Sequence, residues 1–536
     1  MNYTISIHLG LTSIIPAAFA FSLPLIGRIT KSRLVGTIYF MVATFLTFLV
    51  NTIVFYQVHI YDTIVVYPFG GWPPPLGVVY VADKTSTLMG FTISLSIFIL
   101  SLYIHWYTRH MDNYLLMYTL VLILEAGFMG FLYTSDVFNI YVMLEVIGLA
   151  TYPLVAFYSY RWKALAASAR YAILAAIITV LYFLATILLY AVAGTLNMGC
   201  LAVKVRSISL CQHSDPFFGG GVNGPLFYFV FYLAMAIWTS FLISALFPNH
   251  FWLPDAHSEA PSPISALLSG LAINMGVYFF LRIVYTVYND GLFTHELGNV
   301  MFITLTLASI ATIYGALMMG FEDDVKRILA YSTIMNTGFI YMGVSLGTVL
   351  GVTAGLYHML NHAIGKILAF TAIGVFVRRY RTRNIEALEG AGHLYPLAMF
   401  TLIASFLHLI GLPPFGGFFS KILLFQSLIE VGNYIVACIL IVSTVASSYG
   451  YLRVLEHLWH IPFPTVILKR EKLSLHTKIV LLVLVAWTLL LGLLQQTVYT
   501  ILVDTSRQLI NGYKDYAMAL YMLYKYLTPT DIQVPE

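Results

Sequence analysis

The chain has 536 residues, of which 60% are hydrophobic and only 9% are charged, and its mean hydropathy is +0.86. This composition excludes a soluble enzyme and indicates a protein that crosses a lipid bilayer many times. The net charge of +4 carries little information about partners, and the sequence contains no basic patch typical of nucleic-acid binding.

Repeated apolar runs of about 20 residues predict transmembrane helices, whereas a barrel would need short alternating strands. Charges and turn residues divide the chain into fourteen such runs. The predicted spans are 5–27, 34–57, 80–106, 113–133, 136–159, 165–193, 225–247, 263–287, 298–320, 325–346, 350–377, 394–430, 431–456 and 476–502. No basic residue precedes the first run, so we interpret it as an uncleaved span. The predicted fold class is an all-α polytopic membrane protein.

Lysine and arginine residues are distributed unevenly between alternate loops. One set of loops holds most of them, from Arg28 to Lys478, whereas the opposite set holds only Lys84, Lys204 and Arg206. The positive-inside rule therefore predicts that both termini lie outside the cell membrane, and the even number of spans agrees.

One apolar run is predicted to end at Pro248, where a proline removes a helical hydrogen bond. Three further prolines, up to Pro263, are expected to keep the next fifteen residues out of regular helix. The polar side chains of this corner are His250, Asp255, His257 and Glu259. A bilayer tolerates unwound backbone only where protein buries it or water lines it, so we expect a hydrated path here. An ordinary loop between two spans is the alternative.

The run 394–430 is too long for one straight span and contains Pro413 and Pro414, so we predict a second interrupted helix. Two interrupted helices five spans apart indicate two five-helix units of opposite orientation, as in inverted-repeat transporters. The predicted divisions are three N-terminal helices in 1–112, the first repeat in 113–287, the second repeat in 298–456, and a last span with an interfacial C-terminal segment in 476–536.

Ionisable residues in the middle of spans are the candidates for function, because a bilayer makes them costly. Glu145 lies about 13 Å along helix 5, and an ordinary ion pair is its alternative role. His358, His362 and Lys366 recur at every fourth residue and form one stripe about 12 Å long, which suits proton hopping. A metal site is the rival interpretation, but the stripe lacks an acidic third ligand. Lys421 follows the second break and is expected to pair with a carboxylate or to titrate.

Six stretches, in order along the chain, resemble motifs of one membrane-protein family. They are DVFNIYVMLEVIGLATYPLVAFY, RYAILAA with LLYAVAGTLN, ALFPNHFWLPDAHSEAPSPISALLSG, YSTIMNTGFIYMGV, YHMLNHAIGKILAF and GLPPFGGFFSKILLF. They look like the antiporter-like subunits shared by respiratory complex I, membrane-bound hydrogenases and Mrp-type sodium/proton antiporters. The similarity runs from about Asp83 to Arg453. It implies fourteen core helices, inverted repeats, broken helices 7 and 12, and ion translocation driven by neighbouring subunits.

The resemblance also implies roles for particular positions. Glu145 matches the helix 5 glutamate of the family, and His358, His362 and Lys366 match its central relay. Lys421 matches the helix 12 residue that faces the outer exit. Further candidates for the ion path are Glu125, His250, Asp255, Asn274 and His408.

Two positions depart from the family pattern. The family usually has a lysine five residues before the proline of the helix 7 break and another two residues before GVY of helix 8. Here these positions hold Ile243 and Asn274. The first half-channel is therefore expected to be degenerate.

Glu125 stands where the family generally has an apolar residue. It lies ten residues before the turn near Ser135, and Glu145 lies ten residues after it, so the two carboxyl groups are predicted at matching depth, about 15 Å from the turn. If they face each other, we expect them to share a proton. In the alternative, Glu125 turns toward a neighbouring subunit and bonds there.

The leading functional hypothesis is a membrane-arm subunit of a complex I-like or hydrogenase-like respiratory assembly, which couples redox chemistry in partner subunits to proton or sodium translocation. The first alternative is a subunit of an Mrp-type antiporter or of another transport complex without a redox partner. The second is a structural spacer that conducts nothing. Three cysteines are too few for an iron–sulfur cluster, so no cofactor is expected in this chain. Cys200 and Cys211 share a predicted outer loop, where a disulfide could persist.

Overall fold

The computed structural model describes residues 2–206, 224–460 and 473–528, and most of these residues are helical. A helix satisfies its own backbone hydrogen bonds, as a bilayer requires of any segment that crosses it. The helices before the first break are α1 (Ile7–Thr30), α2 (Arg33–Ile60), α3 (Lys84–Thr108), α4 (Tyr114–Tyr133), α5 (Val137–Val155), α6 (Trp162–Ala193), the short α7 (Met198–Arg206) and α8 (Phe227–Ile243).

Beyond the first break, the span Ser262–Tyr288 lies at the centre of the molecule and is buried along its whole length. It contains two α-helical parts joined by a π-helical turn. The helices after the break are α9 (Trp252–Glu259), α10 (Ser262–Leu267), α11 (Ile273–Leu281), α12 (Thr294–Phe321), α13 (Val325–Val344), α14 (Val349–Tyr380), α15 (Ala391–Leu394), α16 (Pro396–Ile410), α17 (Gly416–Glu430), α18 (Tyr434–Trp459), α19 (Leu475–Leu493), α20 (Gln495–Asn511) and α21 (Tyr513–Leu527).

The polytopic helical fold is confirmed. Within the described residues, eleven helices are long and apolar enough to cross a membrane, or up to twelve if the bent pair around α16 counts as one span. The helix α8 is apolar but shorter than these. The predicted count of fourteen spans, the inverted repeats and the divisions drawn from them therefore stay predictions.

A small sheet accompanies the helices. Strands β1 (Asn2–Ile5), β2 (Thr63–Pro68) and β3 (Val79–Ala82) lie in the order β1-β2-β3, with β1 parallel and β3 antiparallel to β2. The strands are short and rich in β-branched and aromatic residues, which favour a pleated surface. The first residues of two predicted spans, at 5 and from 80, belong to β1 and β3. The first helix accordingly begins at Ile7 and not at residue 5.

The first broken helix is less irregular than predicted. Residues 244–251 interrupt it, but Trp252–Glu259 and Ser262–Leu267 are helical. The expectation of fifteen non-helical residues was wrong because Pro254 and Pro263 both lie in the first turn of a helix, where the missing N–H has no partner to lose. The second break behaves as predicted, since 411–415 separates α16 from α17.

The chain ends in two amphipathic helices that pack on the protein itself. The last predicted span was 476–502, but the helix α19 ends at Leu493 and α20 starts two residues later. The helix α20 packs against α14 and α3, and α21 packs against α7 and β2. In α20 the Ser506 hydroxyl accepts a hydrogen bond from Thr353 of α14 at 2.9 Å. The segment thus covers one end of the helix bundle.

Candidate functional site

The helix α14 carries the predicted stripe of His358, His362 and Lys366, and all three side chains are buried. Their spacing of four residues places them on one face of the helix. Neighbouring helices α13, α16, α17 and α20 pack around α14 and exclude lipid from this face. The stripe is therefore an internal axis and not a membrane-facing surface.

A series of hydrogen bonds joins the inner residue of this stripe to the second broken helix. The Lys366 ammonium donates to the Ser332 hydroxyl of α13. One turn further, the Asn336 amide donates to the Ser332 carbonyl at 2.6 Å and faces the His358 ring at 3.1 Å. The other His358 ring nitrogen lies 3.0 Å from the Ser420 hydroxyl, next to Lys421 in α17. Polar groups of α13 and His358 thus lie between Lys366 and the residue that precedes Lys421.

The imidazole-to-imidazole contact expected along the stripe is not formed among the described residues. Neither ring nitrogen of His362 has a hydrogen-bond partner there. His408 of α16, a candidate from the sequence, instead bonds the Asn361 carbonyl at 2.9 Å. The link between Lys366 and His358 therefore passes through Ser332 and Asn336, neither of which the sequence had singled out.

Lys421 lies in α17, as its position after the second break predicted. Its buried ammonium donates to the Ile410 carbonyl at 3.0 Å and to the Thr444 hydroxyl at 3.3 Å. The ammonium also lies 5.0 Å from the centroid of the Phe339 ring. Among the described residues no carboxylate pairs with it. The broken helix supplies the carbonyl in place of a counter-ion.

Two glycines allow this break. Gly411 ends α16 with φ +88°, a left-handed conformation that residues with a Cβ rarely adopt. A Cβ on Gly417 would overlap the carbonyl oxygen of His408. The start of α17 can therefore lie directly against the end of α16, which brings Lys421 to the freed carbonyl of Ile410.

The first break opens toward a cluster of ion pairs. Asp255 of α9 accepts from Arg170 and from Arg327, each at 2.7 Å. These two ion pairs occupy both carboxylate oxygens of Asp255. Arg170 bonds no other carboxylate in the described part of the chain. His250 packs between the rings of Phe247 and Tyr314. Both candidates therefore have structural partners.

A second cluster lies beside it and borders a cavity of about 860 Å³. Arg383 bonds Glu259 at 2.9 Å and Asp324 at 3.0 Å. Asp324 lies outside the helices, and burial raises the pKa of its carboxyl while Arg383 opposes that rise. The cavity is lined by Glu259, Asp324 and Arg383 of this second cluster, by further polar and charged residues and by aromatic side chains.

Lys326 connects this cavity with the interior, although the sequence placed it among ordinary loop lysines. It lines the cavity but is buried, and its ammonium donates to the Ala260 carbonyl at 2.6 Å. Ala260 is the residue between α9 and α10, where the interrupted span leaves a carbonyl available. His257 is buried nearby, with both ring nitrogens unpartnered among the described residues. The only sequence signal for an internal Lys326 is the helix break at Ala260, because the spacing of Lys326 along its own helix is not distinctive.

The corresponding place in the first half is less charged. Glu145 is half-buried and accepts a hydrogen bond from Thr179 of α6 at 2.7 Å. Asn274 donates to the Gly270 carbonyl of its own helix at 2.8 Å. Ile243 ends α8, and next to it the hydroxyls of Ser244 and Tyr341 lie 2.8 Å apart. Neutral groups occupy the positions where the family resemblance implies lysines.

Glu125 and Glu145 do not form the direct hydrogen bond that would be expected of two carboxyl groups sharing a proton. Neither carboxyl oxygen of Glu125 has a hydrogen-bond partner in the described part of the chain. Gly127 faces Ile147 of α5, and Glu125 lies two residues, or about 200°, from it on α4. Glu125 therefore points away from α5, because depth along two helices does not fix their rotation.

No group of three or more His, Cys, Asp and Glu side chains in 2–206, 224–460 and 473–528 could hold a metal ion. Cys200 is buried in the first turn of α7, whereas Cys211 lies outside the described residues. The disulfide between them stays a prediction.

The fold and the buried lysine–histidine axis define a multi-pass antiporter-like membrane subunit. A family model described as NADH:quinone oxidoreductase/Mrp antiporter, transmembrane, matches residues 134–447. The chain belongs to this family.

Similar proteins include NADH-quinone oxidoreductase subunit N of Desulforudis audaxviator (strain MP104C), which is 31% identical over 400 residues, or 73% of this chain and 74% of the relative. A putative antiporter subunit mnhD2 of Staphylococcus aureus is 28% identical over 82% of this chain and 84% of its own length.

Among solved structures, a chain of the membrane-bound sulfane sulfur reductase, an archaeal respiratory membrane complex, is 26% identical with a TM-score of 0.83, covering 96% of this chain and 99% of that one. A chain of the Mrp complex from Dietzia sp. DQ12-45-1b has a TM-score of 0.82 at 22% identity, with the same coverage of 96% and 99%, and shows the fold alone.

Proposed function

We propose that this subunit moves protons along its buried axis within a complex I-like or hydrogenase-like respiratory assembly, and that redox chemistry in partner subunits drives the movement. The observation that carries the proposal is the row of buried polar side chains that runs from Lys366 through Ser332, Asn336 and His358 to Ser420, the residue before Lys421. Ionisable residues inside a membrane are rarely retained without a role in transport. The likeness to a chain of a respiratory membrane complex over nearly the whole length supports the assembly.

The composition of the axis favours H⁺ over Na⁺. Its members are amines, imidazoles, hydroxyls and an amide, all of which can accept and donate protons or orient water. No carboxylate lies among the residues that join Lys366 to Lys421. A sodium ion prefers oxygen ligands and would be repelled by two neighbouring ammonium groups.

The route is proposed to begin at the cavity beside Lys326 and to end near Lys421. Lys326 and His257 would pass protons from this cavity to Lys366. The excess of basic residues in loops on the cavity side supports its placement at the cytoplasm, with both termini outside the plasma membrane. In this arrangement the route crosses the second of the two proposed inverted repeats.

The experiment that tests the proposal uses the complete complex, purified in mild detergent and placed in liposomes with a pH-sensitive dye. Lys421→Ala should abolish coupled proton movement while the complex still assembles. The matched control is Lys478→Ala, because Lys478 is an exposed lysine of α19. Proton movement at the unmodified rate in Lys421→Ala would contradict the proposal. A flux that depends on Na⁺ would show that the transported ion is Na⁺ and not H⁺.

A second candidate function is a structural spacer that keeps the fold and its contacts but conducts nothing. The observation that favours it is the neutral pair at Ile243 and Asn274, where the family resemblance implies lysines. The other alternative is a subunit of an Mrp-type antiporter or of another transport complex without a redox partner. The proteins that copurify with the subunit decide between these assemblies. A complete absence of ion flux in the intact complex would instead support the structural spacer.

A further inference from the structure

A second cavity, of about 420 Å³, lies next to the cavity beside Lys326. Its described lining comes from the ends of α3 and α14, from the residues that follow these helices, and from the residues just before α16 and α19. Because apolar spans end here, the cavity lies at the level where a bilayer places its head groups. In the orientation proposed above, this level is the cytoplasmic one.

The described lining of this second cavity is cationic. It contains four arginines and one histidine and no carboxylate, so we call it the arginine cavity. These basic residues are Arg109, His110, Arg378, Arg379 and Arg381. The cavity beside Lys326 differs, because its five basic side chains share the lining with Glu259, Asp323 and Asp324. Like charges that face one cavity repel each other, and the arginine cavity therefore favours an anion.

Arg378 is fixed in the wall of the arginine cavity without a counter-ion. Its guanidinium donates to the Trp106 carbonyl at 2.8 Å and to the Tyr107 carbonyl. The guanidinium also lies 4.7 Å from the centroid of the Trp106 ring and 5.1 Å from that of Tyr107. Among the described residues neither Arg378 nor Arg381 pairs with a carboxylate. Both hydrogen bonds of Arg378 come from one terminal nitrogen, so the remaining N–H groups are available to a ligand.

A second donor in the same wall also lacks an acceptor. Trp106 is only 6% exposed, and its indole N–H has no hydrogen-bond partner in the described part of the chain. Buried donors are nearly always paired, because an unpaired one loses its hydrogen bond to water without replacement. Trp106 and Arg378 therefore both present donors that the described chain leaves for another molecule.

The chemistry of this wall fits a phosphate group. A guanidinium presents its N–H donors in a planar fork that matches the spacing of phosphate oxygens. The cavity volume is within the range of roughly 300–1,000 Å³ that is typical of ligand sites.

The position of the arginine cavity fits the phosphate of a lipid. The arginines lie at the ends of the spans, whereas Val375 and Leu473 add apolar side chains to the same lining. Tryptophan, here Trp106, is typical of the boundary between head groups and acyl chains. Basic pockets between transmembrane helices at the cytoplasmic surface bind the head groups of anionic lipids.

An ordinary excess of basic residues at the cytoplasmic surface does not account for this arrangement. Arg28 and Lys31 provide the comparison, since they occupy the last turn and the C-cap of α1 just as Arg378 and Arg381 occupy those of α14. Arg28 and Lys31 are exposed, and neither lines the arginine cavity. The pair on α14 differs from the pair on α1 by its place in a cavity wall.

We propose that the arginine cavity binds the phosphate group of an anionic membrane lipid, held by Arg378 and Arg381 with the Trp106 indole as a further donor. Arg378 and Arg381 also line the cavity beside Lys326, so the phosphate lies against the wall that the two cavities share. The site does not depend on the proposed transport function, because it includes no residue of the axis between Lys366 and Lys421.

Native mass spectrometry of the intact complex tests the site. The complex is stripped of lipid in detergent and titrated with phosphatidylglycerol. The double variant Arg378→Gln with Arg381→Gln should bind phosphatidylglycerol at least about tenfold more weakly than the unmodified complex, because it loses charge-assisted hydrogen bonds. The matched control is Arg28→Gln with Lys31→Gln, which removes two cations from the end of α1 and should bind like the unmodified complex. Lys421→Ala should also bind normally, so a failure of the transport function is distinguishable from a failure of this site.

Two single variants separate loss of the ligand contacts from misfolding. Arg381→Gln changes an exposed side chain and should still weaken the binding of phosphatidylglycerol. Trp106→Phe keeps an aromatic ring against Arg378 but removes the indole N–H, and it should weaken binding less than the double variant does. Equal binding by the two double variants, or unchanged binding in Arg381→Gln, would overturn the proposal.

Two further ligands identify the source of the phosphate. Phosphatidylcholine carries an additional cation in its head group and should bind more weakly than phosphatidylglycerol. Equal binding of the two lipids would overturn the proposal. The unfolding temperature of the lipid-free complex is also measured with inorganic phosphate, which should raise it less than phosphatidylglycerol does. An equal rise would overturn the lipid assignment and indicate a site for free phosphate.

Discussion

Asn336 of α13 and His358 of α14 face each other across a hydrogen bond of 3.1 Å at the centre of the buried axis. The same amide donates to the Ser332 carbonyl, so its oxygen is held toward the imidazole and specifies a ring nitrogen that carries a proton. His358 is thereby oriented toward Ser420 and Lys421. Asn336, which the sequence did not single out, thus sets the orientation of His358, which the sequence identified.

Replacing Asn336 should therefore impair transport without removing a titratable group. We expect Asn336→Leu to slow coupled proton movement by about tenfold or more, because a buried polar group left without its partner costs about 1–3 kcal/mol. Flux in liposomes measures the effect. Ser427→Ala is the control, since Ser427 is buried in α17 but bonds only the Leu424 carbonyl. Equal flux in the two variants would show that Asn336 does not belong to the route.

The buried pair of Asp83 and Arg282 should contribute strongly to stability. The Arg282 guanidinium donates to both carboxylate oxygens of Asp83, one of them at 2.6 Å, and both side chains are buried. We expect Asp83→Asn to lower the free energy of unfolding by about 3–5 kcal/mol, because it leaves a buried guanidinium unpaired. Thermal unfolding in detergent measures this loss.

An exposed pair provides the matched control for this measurement. Lys84 and Asp62 are 2.8 Å apart, but Asp62 is largely in solvent, so Asp62→Asn should change the free energy by about 0–1 kcal/mol. The double variant Asp83→Asn with Arg282→Met should recover part of the stability that Asp83→Asn loses. If Asp83→Asn and Asp62→Asn were equally mild, the buried pair would not stabilise the fold.

Adding one methyl group at the second break should displace Lys421. Gly417→Ala places a Cβ against the His408 carbonyl, which belongs to backbone and cannot rotate away. We expect lower thermal stability, by about 1–3 kcal/mol, and loss of transport. In Gly298→Ala nothing lies within 4 Å of the added Cβ, and replacing glycine within a helix should stabilise it by up to about 1 kcal/mol. The diagnostic result is a loss of thermal stability in Gly417→Ala together with a gain in Gly298→Ala.

Asp136 should make stability depend on pH. It lies in the turn between α4 and α5, outside both helices, and caps α5 by accepting from the backbone of Phe138 and Asn139. Burial raises the pKa of its carboxyl to about 6. The folded state therefore holds this proton more tightly than the unfolded state, so the contribution is fully present below about pH 4 and is lost as the pH rises through about 6.

The variant Asp136→Asn keeps a capping residue but cannot ionise. Between pH 4 and 7 the stability of the unmodified protein should fall relative to this variant, by at most about 3 kcal/mol. Unfolding temperatures measured at both pH values give the difference. Parallel pH profiles for the two proteins would rule out this role for Asp136.

The sequence predicted what depends on composition along one helix. The apolar runs, the breaks near Pro248 and Pro413 and the internal position of Lys421 all follow from local rules, and the structure has them. The route between Lys366 and His358 could not be predicted, because it depends on how α13 is rotated against α14. The same reason explains Glu125: its depth relative to Glu145 stays a prediction, and its direction could not be predicted because it depends on how α4 is rotated.

Residues near helix ends were the other source of error. Lys326 has the sequence context of a loop lysine, but the carbonyl left free at Ala260 draws it inward. The strand at 79–82 lies directly before an apolar helix, so hydropathy alone placed its residues from 80 onward in that span. Tertiary packing decided both cases, and a single sequence contains no direct record of packing.

The helix α21 also closes over the buried pair of Asp83 and Arg282. Tyr516 of α21 places its ring 5.5 Å from the Arg282 guanidinium, and the same helix packs against the strand at 63–68. Tyr516 is itself buried, so α21 separates the ion pair from solvent. Removal of α21 should accordingly leave a protein that inserts into the membrane but whose completed ion pair stays wet.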